Sequence, residues 1–171
     1  MTVAVETGLW QLDAGASTVA LKHKSMWGLV PVKGVFATVG GGGEVTADGT
    51  VTGTLTLDAA SIDTKNAKRD AHLRSADFFD VDKYPEITFA LRASELGADG
   101  TARMSGQLTV HGISRPQAVT ARVTQADADA VTLDATFTVD RQEFGITTNQ
   151  LGMMGGLTTI TTTLRFTRVV A

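Results

Sequence analysis

Ala130-Val131-Thr132-Leu133-Asp134-Ala135-Thr136-Phe137-Thr138-Val139-Asp140 alternates apolar and polar side chains from end to end. That period of two places Val131, Leu133, Ala135, Phe137 and Val139 on one face of an extended strand and the threonines and aspartates on the other. At about 3.3 Å per residue the segment spans roughly 33 Å, longer than the usual strand of a two-sheet sandwich. Thr101–His111 is of similar length and carries Met104, Leu108 and Val110 on one face. A sandwich would show the same alternation, and strand length favours a barrel instead.

Outward from this stretch the pattern repeats along the whole chain. Val19, Leu21 and His23 share one parity, as do Val51, Leu55 and Leu57, then Ile87, Phe89 and Leu91, then Val119, Ala121 and Val123, and finally Ile160, Leu164 and Phe166. About eight strands result, separated by turn signals at Gly40 to Gly43, Asp48-Gly49, Asp99-Gly100, Gly112 to Pro116 and Ala126 to Asp129. The four-glycine run reads as a flexible hairpin. Short connections make the sheet antiparallel, and eight strands suffice to close a barrel without exposed edges. The expected fold is therefore an all-β, eight-stranded antiparallel barrel, with residues 1–171 forming one domain.

Composition agrees with this. The 171 residues include 26 Thr and 18 Gly but only 3 Pro, a mixture suited to pleated strands and tight turns. With no Cys there is no disulfide framework, thiolate metal site or cysteine nucleophile. A net charge of -3 is opposite in sign to the usual nucleic-acid footprint. No apolar run reaches the roughly 18 residues that span a bilayer, and the N-terminal residues show no secretory pattern, so the expected location is cytoplasmic.

Two segments break the alternation. Residues 67–75 lack β-branched side chains and read as a short helix in one connection, with Asn66 or Thr64 as N-cap and Asp70 four residues before Arg74. Residues 77–80 and 84–85 then read as an extended return. The second segment, Arg141 to Gly156, holds Phe144, Leu151, Met153 and Met154, and an irregular stretch of this length is more often functional than idle.

Several blocks carry a resemblance. Trp10-Gln11-Leu12-Asp13, Leu21-Lys22-His23, Gly34-Val35-Phe36 and Ala60-Ser61-Ile62-Asp63-Thr64 lead to the long block Arg69 to Asp80, followed by Tyr84-Pro85-Glu86-Ile87-Thr88-Phe89. Gly106 to Gly112 and Val139 to Ile146 complete the series. The chain resembles the YceI-like family. That resemblance implies a lipocalin-like barrel whose interior tunnel holds an amphiphile such as a polyisoprenoid, a quinone or a similar long-chain lipid, with no further cofactor. Relatives are often periplasmic, and many carry His-Ser where this chain has Ala16-Ser17.

The inward residues Val19, Leu21, Leu55, Leu57, Phe89, Leu91, Leu108, Val110, Leu133, Phe137, Leu164 and Phe166 have two readings. Pattern alone favours a solid core, whereas the resemblance makes them a ligand tunnel. His23 shares their parity and is a candidate for a ligand's polar end or a self-satisfied mouth histidine. Phe144, Met153 and Met154, with Phe78 and Phe79, either plug the barrel or govern ligand admission. Lys68, Arg69, His72 and Arg74, with Lys65, are candidates for an anionic head group; the plainer reading pairs them with Asp63, Asp70 and Asp77 on a solvated helix.

Other chemistries find less support. His23, His72 and His111 lack metal-ligand spacing, and the four-glycine run precedes no helix that could receive a phosphate. Ser61, Asp63 and His72 form a triad only on paper. Three functions stay in play: a non-enzymatic carrier of a long-chain lipid, an enzyme acting on such a ligand through His23 or His72, and a ligand-free structural protein. An edge strand could pair two copies into a homodimer, though no pattern demands it.

Overall fold

The fold is defined by a computed structural model that describes residues 6–25, 30–48, 50–76, 78–97, 99–146 and 154–169, without the side chains of 24–25, 30–32, 96 and 154–156. The strands are β1 (Gly8–Leu12), β2 (Thr18–Ser25), β3 (Val30–Phe36), β4 (Val39–Val45), β5 (Val51–Asp58) and β6 (Ile62–Asp63). After the helix α1 (Ala67–Arg74) come β7 (Glu86–Leu96), β8 (Thr101–Val110), β9 (Ile113–Ala126), β10 (Ala130–Asp140) and β11 (Met154–Arg168).

These eleven strands build eight staves of a closed antiparallel barrel, because three staves are interrupted, one of them β5 and β6 across a 3-10 turn at Ala59–Ser61. β1 and β2 both pair with β11, β1 at Trp10↔Arg168 and β2 at Thr162↔Val19. β3 pairs with β2 while β4 pairs with β1, so β3 and β4 form the second stave. The ring then runs β4, β5, β7, β8, β9, β10, β11 and back to β1. A 3-10 turn at Ala14–Ala16 fills the gap in the first stave. Opposite it, Arg165 stitches the gap: its backbone N–H donates to Ser17 Oγ at 3.0 Å and its guanidinium pairs with Asp13 at 2.9 Å.

The β10 boundaries match the alternating stretch residue for residue. Elsewhere the structure corrects the reading. The four-glycine run is no hairpin; it lies within β4, paired to β5 at Gly41↔Leu55 and Gly43↔Gly53. A Cβ on Gly43 would stand 2.5 Å from the Thr52 carbonyl oxygen, and one on Gly41 2.6 Å from that of Thr54, so close backbone approach selects glycine here.

Gly112 to Pro116 is not one turn either. The hairpin is His111-Gly112 alone, with φ of 55° and 75°, the pair of positive values that a two-residue turn of the type I′ kind requires. Pro116 lies inside β9. It is tolerated because β10 pairs with β9 only from Ala121 to Ala126, leaving the other edge of β9 at Pro116 without a ladder to break.

The helix is capped as expected, Asn66 Oδ1 accepting from Arg69 N at 3.1 Å. Asp70 does not pair with Arg74. Its buried carboxylate accepts from both the backbone N–H and the hydroxyl of Thr64, and Arg69 donates to the same hydroxyl at 3.0 Å and to the Thr64 carbonyl at 3.2 Å. The return to β7 is folded into tight turns rather than extended, with Asp80 N donating to Ser75 O at 2.8 Å and Tyr84 N to Asp80 O at 2.8 Å. Asp70→Ala is expected to destabilise the protein by about 2 kcal/mol, since it leaves two donors of Thr64 unmet. Urea denaturation reads this directly, and a change below about 0.5 kcal/mol would mean that the helix does not need its brace.

Candidate functional site

Because consecutive staves alternate in direction, the chain reversals sort into two ends. One end, the mouth, gathers α1, the turns up to Tyr84, the hairpin at His111 and the segment from Arg141 to Ile146. The opposite end is plugged: Trp10, Val45 and Val131 are buried there against Val51, Val123, Leu133 and Phe166. Phe166 therefore belongs to the plug and does not line the lumen.

Between plug and mouth lies a cavity of about 400 Å³. Its wall includes Val19, Leu21, His23, Leu55, Leu57, Phe89, Leu108, Val110, Leu133, Phe137, Phe144 and Leu164, all of them inward candidates from the alternation or the mouth segment. Leu91 is outside it; this residue sits at the register shift between Leu91 and Ala93, where a bulge re-aims the strand. Of the cationic candidates Arg69 and His72 reach the wall, while Lys68 is exposed and neither it nor Arg74 lines the cavity. Lys65 pairs with Asp63 at 3.4 Å in solvent. Met153 and Asp77 lie outside the described residues, as does the side chain of Met154, although β11 already begins at that residue.

The mouth is built from anchored pieces. Phe144, at 2% exposure among the most deeply buried side chains, sits in a 3-10 turn whose Asp140 cap accepts from Gln142 N at 3.0 Å. Three long-range or local bonds fix this turn: His111 Nδ1 donates to Phe144 O at 3.2 Å, Arg115 Nε to Glu143 O at 3.1 Å, and the Arg141 guanidinium to Ile146 O at 2.7 Å. On the helix side the His72 ring meets Phe78 edge-on at 4.9 Å, and Tyr84 packs on His111 at 4.7 Å.

Arg141 is the charged wall residue that reading the sequence did not single out, and Thr158 and Thr162 are polar ones. Arg141 is buried, and desolvation pulls its guanidinium below the usual arginine range while the neighbouring Asp140 opposes the shift. The available signal was a lone arginine one residue past a strand with inward Val139; the strand's parity carries it into the lumen.

The paper triad does not assemble. Ser61 Oγ donates to Asp58 O at 2.6 Å and accepts from Thr38 N at 3.1 Å, and Asp63 accepts from Lys65 N at 2.9 Å. Among the described residues no group of three His, Asp or Glu side chains is placed to hold a metal ion, and no helix is long and apolar enough to cross a membrane.

The chain matches the family model of the YceI-like domain over residues 10–166. The chain belongs to the YceI-like family. Curated relatives are UPF0312 proteins: one from Ectopseudomonas mendocina is 41% identical over 68 residues, 40% of this chain and 36% of that protein. One from Pseudomonas putida is 37% identical over 95 residues, 53% of this chain and 50% of that protein. The aligned stretch thus spans half or less of the relatives' length.

Solved YceI-like structures share the fold. Burkholderia cenocepacia BcnA superposes with a TM-score of 0.80 at 23% identity, covering 90% of this chain and 98% of that one. A polyisoprenoid binding domain from Saccharophagus degradans, implicated in plant cell wall breakdown, gives 0.78 at 15% identity over 96% and 100% of the two chains. The Campylobacter jejuni YceI protein gives 0.71 at 22%, over 83% and 88%.

Proposed function

We propose that this YceI-like barrel binds one long-chain amphiphile of the isoprenoid or quinone type, holding the tail in the lumen for transport, storage or sequestration. The observation that carries this reading is the asymmetry of the cavity: about 400 Å³ of lumen, plugged by Trp10 and Phe166 at one end and bearing its basic side chains toward the other. That volume is within the usual range of small-molecule sites. The tail enters at the mouth and points toward the plug. Each buried methylene contributes about 0.8 kcal/mol in gross terms, so the apolar wall supplies affinity without directed contacts. The Saccharophagus domain, named for polyisoprenoid binding, supports the same choice of ligand class. An enzyme working through His23 or His72 would want a carboxylate partner, and the ionisable side chains among the described wall residues are Arg and His only.

Native mass spectrometry of gently purified protein, followed by solvent extraction, is expected to show a single lipid adduct per chain. Protein that is empty as isolated and also takes up no added geranylgeraniol would overturn the proposal.

A further inference from the structure

The seam between β9 and β10 is zipped for only part of its height. The strands pair from Ala126↔Val131 to Ala121↔Ala135, and among the described residues neither 113–120 of β9 nor 136–140 of β10 is laddered across the seam. Val110 and Ile113 close a two-residue hairpin and so exchange both ladder bonds. The backbone polar groups of Ser114, Pro116, Ala118 and Thr120 therefore turn toward the seam. Pro116 puts its missing N–H on that side, and the Ala118 carbonyl accepts from the Gln117 side-chain amide at 3.0 Å. Extending the register would set Asp140 opposite Pro116, where one of the two ladder bonds has no donor. At the mouth the turn 141–144 crosses the opening, Arg115 Nε donating to Glu143 O at 3.1 Å and His111 Nδ1 to Phe144 O at 3.2 Å. The result is a slit, bounded below by the Ala121–Ala135 pair and above by this strap, and roughly 17 Å long on β10.

The wall is thin at the foot of the slit. Val119, Ala121, Ala135, Phe137 and Val139, on its two lips, line the lumen. Outside, a recess of about 270 Å³ is lined by the outward-facing Thr120, Arg122, Asp134 and Thr136, and also by Ala121 and Ala135. In an intact pleated wall inward and outward residues serve opposite faces. Here the same two alanines border both spaces.

We infer that the slit between β9 and β10 is a side entrance to the lumen, through which a linear isoprenoid tail swings in broadside instead of threading end-on. This rests on the reading of the lumen as a lipid site and adds the route by which the ligand reaches it. Parting a paired seam breaks ladder bonds: β10 and β11 are joined from Ala130↔Thr167 to Asp140↔Leu157, whereas above Ala135 the β9–β10 seam has none to lose. Barrel closure removes exposed strand edges, so two facing edges left open run against the advantage of the fold. Pro116 keeps them from zipping together. The outer lips carry short, exposed side chains at Ala118, Thr120, Thr136 and Thr138, and Val119, Phe137 and Val139 make the inner lips apolar. Residues 117–121 and 135–139 include no charged side chain, so a hydrocarbon chain meets no ion between solvent and lumen.

The chain has no cysteine, so a pair can be introduced for a single cross-link. Ala118→Cys with Thr138→Cys places one thiol on each outer lip, to be bridged by a short bismaleimide or, as the matched control, capped separately with N-ethylmaleimide. Ala20→Cys with Thr161→Cys, bridged in the same way, staples the laddered β2–β11 seam at a directly paired position. Radiolabelled geranylgeraniol is loaded into the full chain and chased into excess phosphatidylcholine vesicles. Bridging the slit is expected to slow uptake and release together by about 10-fold or more relative to the capped form, because closing a route changes both rates and not their ratio. The β2–β11 staple is expected to leave exchange at the unbridged rate. Rates unchanged by the bridged slit, or slowed equally by both staples, overturn the inference. Amide hydrogen exchange of the unsubstituted protein decides even if the variants do not fold: the seam-facing amides of Ala118, Thr120, Thr136 and Thr138 should exchange at least about 100-fold faster than those of Arg122 and Asp134 on the paired half. Equal protection of the two groups overturns it. Protein that takes up no geranylgeraniol at all strikes the lipid-site reading, and the entrance falls with it.

Discussion

Saturating the barrel with geranylgeraniol is expected to raise its melting temperature by about 10 °C. The lumen faces side chains that, in an ordinary core, would touch one another; across an open cavity they lack dispersion partners on one side. Val19, Ile87 and Leu108 are buried yet line this space, so the fold pays for an interior it does not fill. A ligand that binds only the native state returns RT ln(1 + [L]/Kd), about 4 kcal/mol at a thousandfold excess over Kd. For a chain of this size each kcal/mol moves the midpoint by about 2–4 °C. Thermal melts followed by circular dichroism should show the shift with the twenty-carbon alcohol and little of it with a five-carbon one. Equal small shifts for both would mean that the lumen closes on itself in solution.

What could be read from the residues was whatever depends on short range. The β10 stretch declares its strand because period-two alternation is local, and the Asn66 cap declares the helix because one side chain meets a backbone three residues on. The inward residues followed from parity, which a regular strand preserves. Parity does not give height along the barrel: Leu91 stands beside a bulge and off the cavity wall, and Phe166 has the right face but lies in the plug.

The remaining differences depend on partners outside the segment that was read. Glycine at 41 and 43 looked like a turn because its reason is the backbone of Thr52 to Leu55, on the next strand of the β4–β5 hairpin. Pro116 looked like a strand end because nothing nearby reveals that β9 has an unladdered edge there. Asp70 had a plausible partner at Arg74, but Thr64 offers two donors and takes it. Arg141 keeps the inward parity of Val139 but stands one residue past the end of β10, where the alternating stretch stops. Basic wall residues were therefore sought on the helix, where charges cluster in sequence, while Arg141 reaches the same lumen from the end of β10.

Ala135→Phe is expected to divide ligands by length. Ala121, Ala135, Thr162 and Val19 occupy one row across four staves, Ala135 facing Ala121 on one side and Thr162 on the other. All four line the cavity, and their small size keeps the lumen open at mid-height. Ala135 is five residues from the mouth end of β10, or roughly 17 Å along the strand. A phenyl ring there leaves the outer half of the lumen accessible and blocks the inner half. Excluding about five carbons of tail forfeits about 4 kcal/mol of transfer free energy, so a twenty-carbon alcohol should bind on the order of 100- to 1,000-fold more weakly. A ten-carbon chain, housed nearer the mouth, should lose far less. The empty variant also separates a lumen from a solid core: overpacking a filled interior costs about 1–3 kcal/mol or more, whereas a ring entering open space should leave stability level or raise it. Titration with the two alcohols and a urea melt of the ligand-free protein supply both readings. A variant that loses several kcal/mol and weakens both chains alike would show the row to be packed, and the lumen would have to end above it.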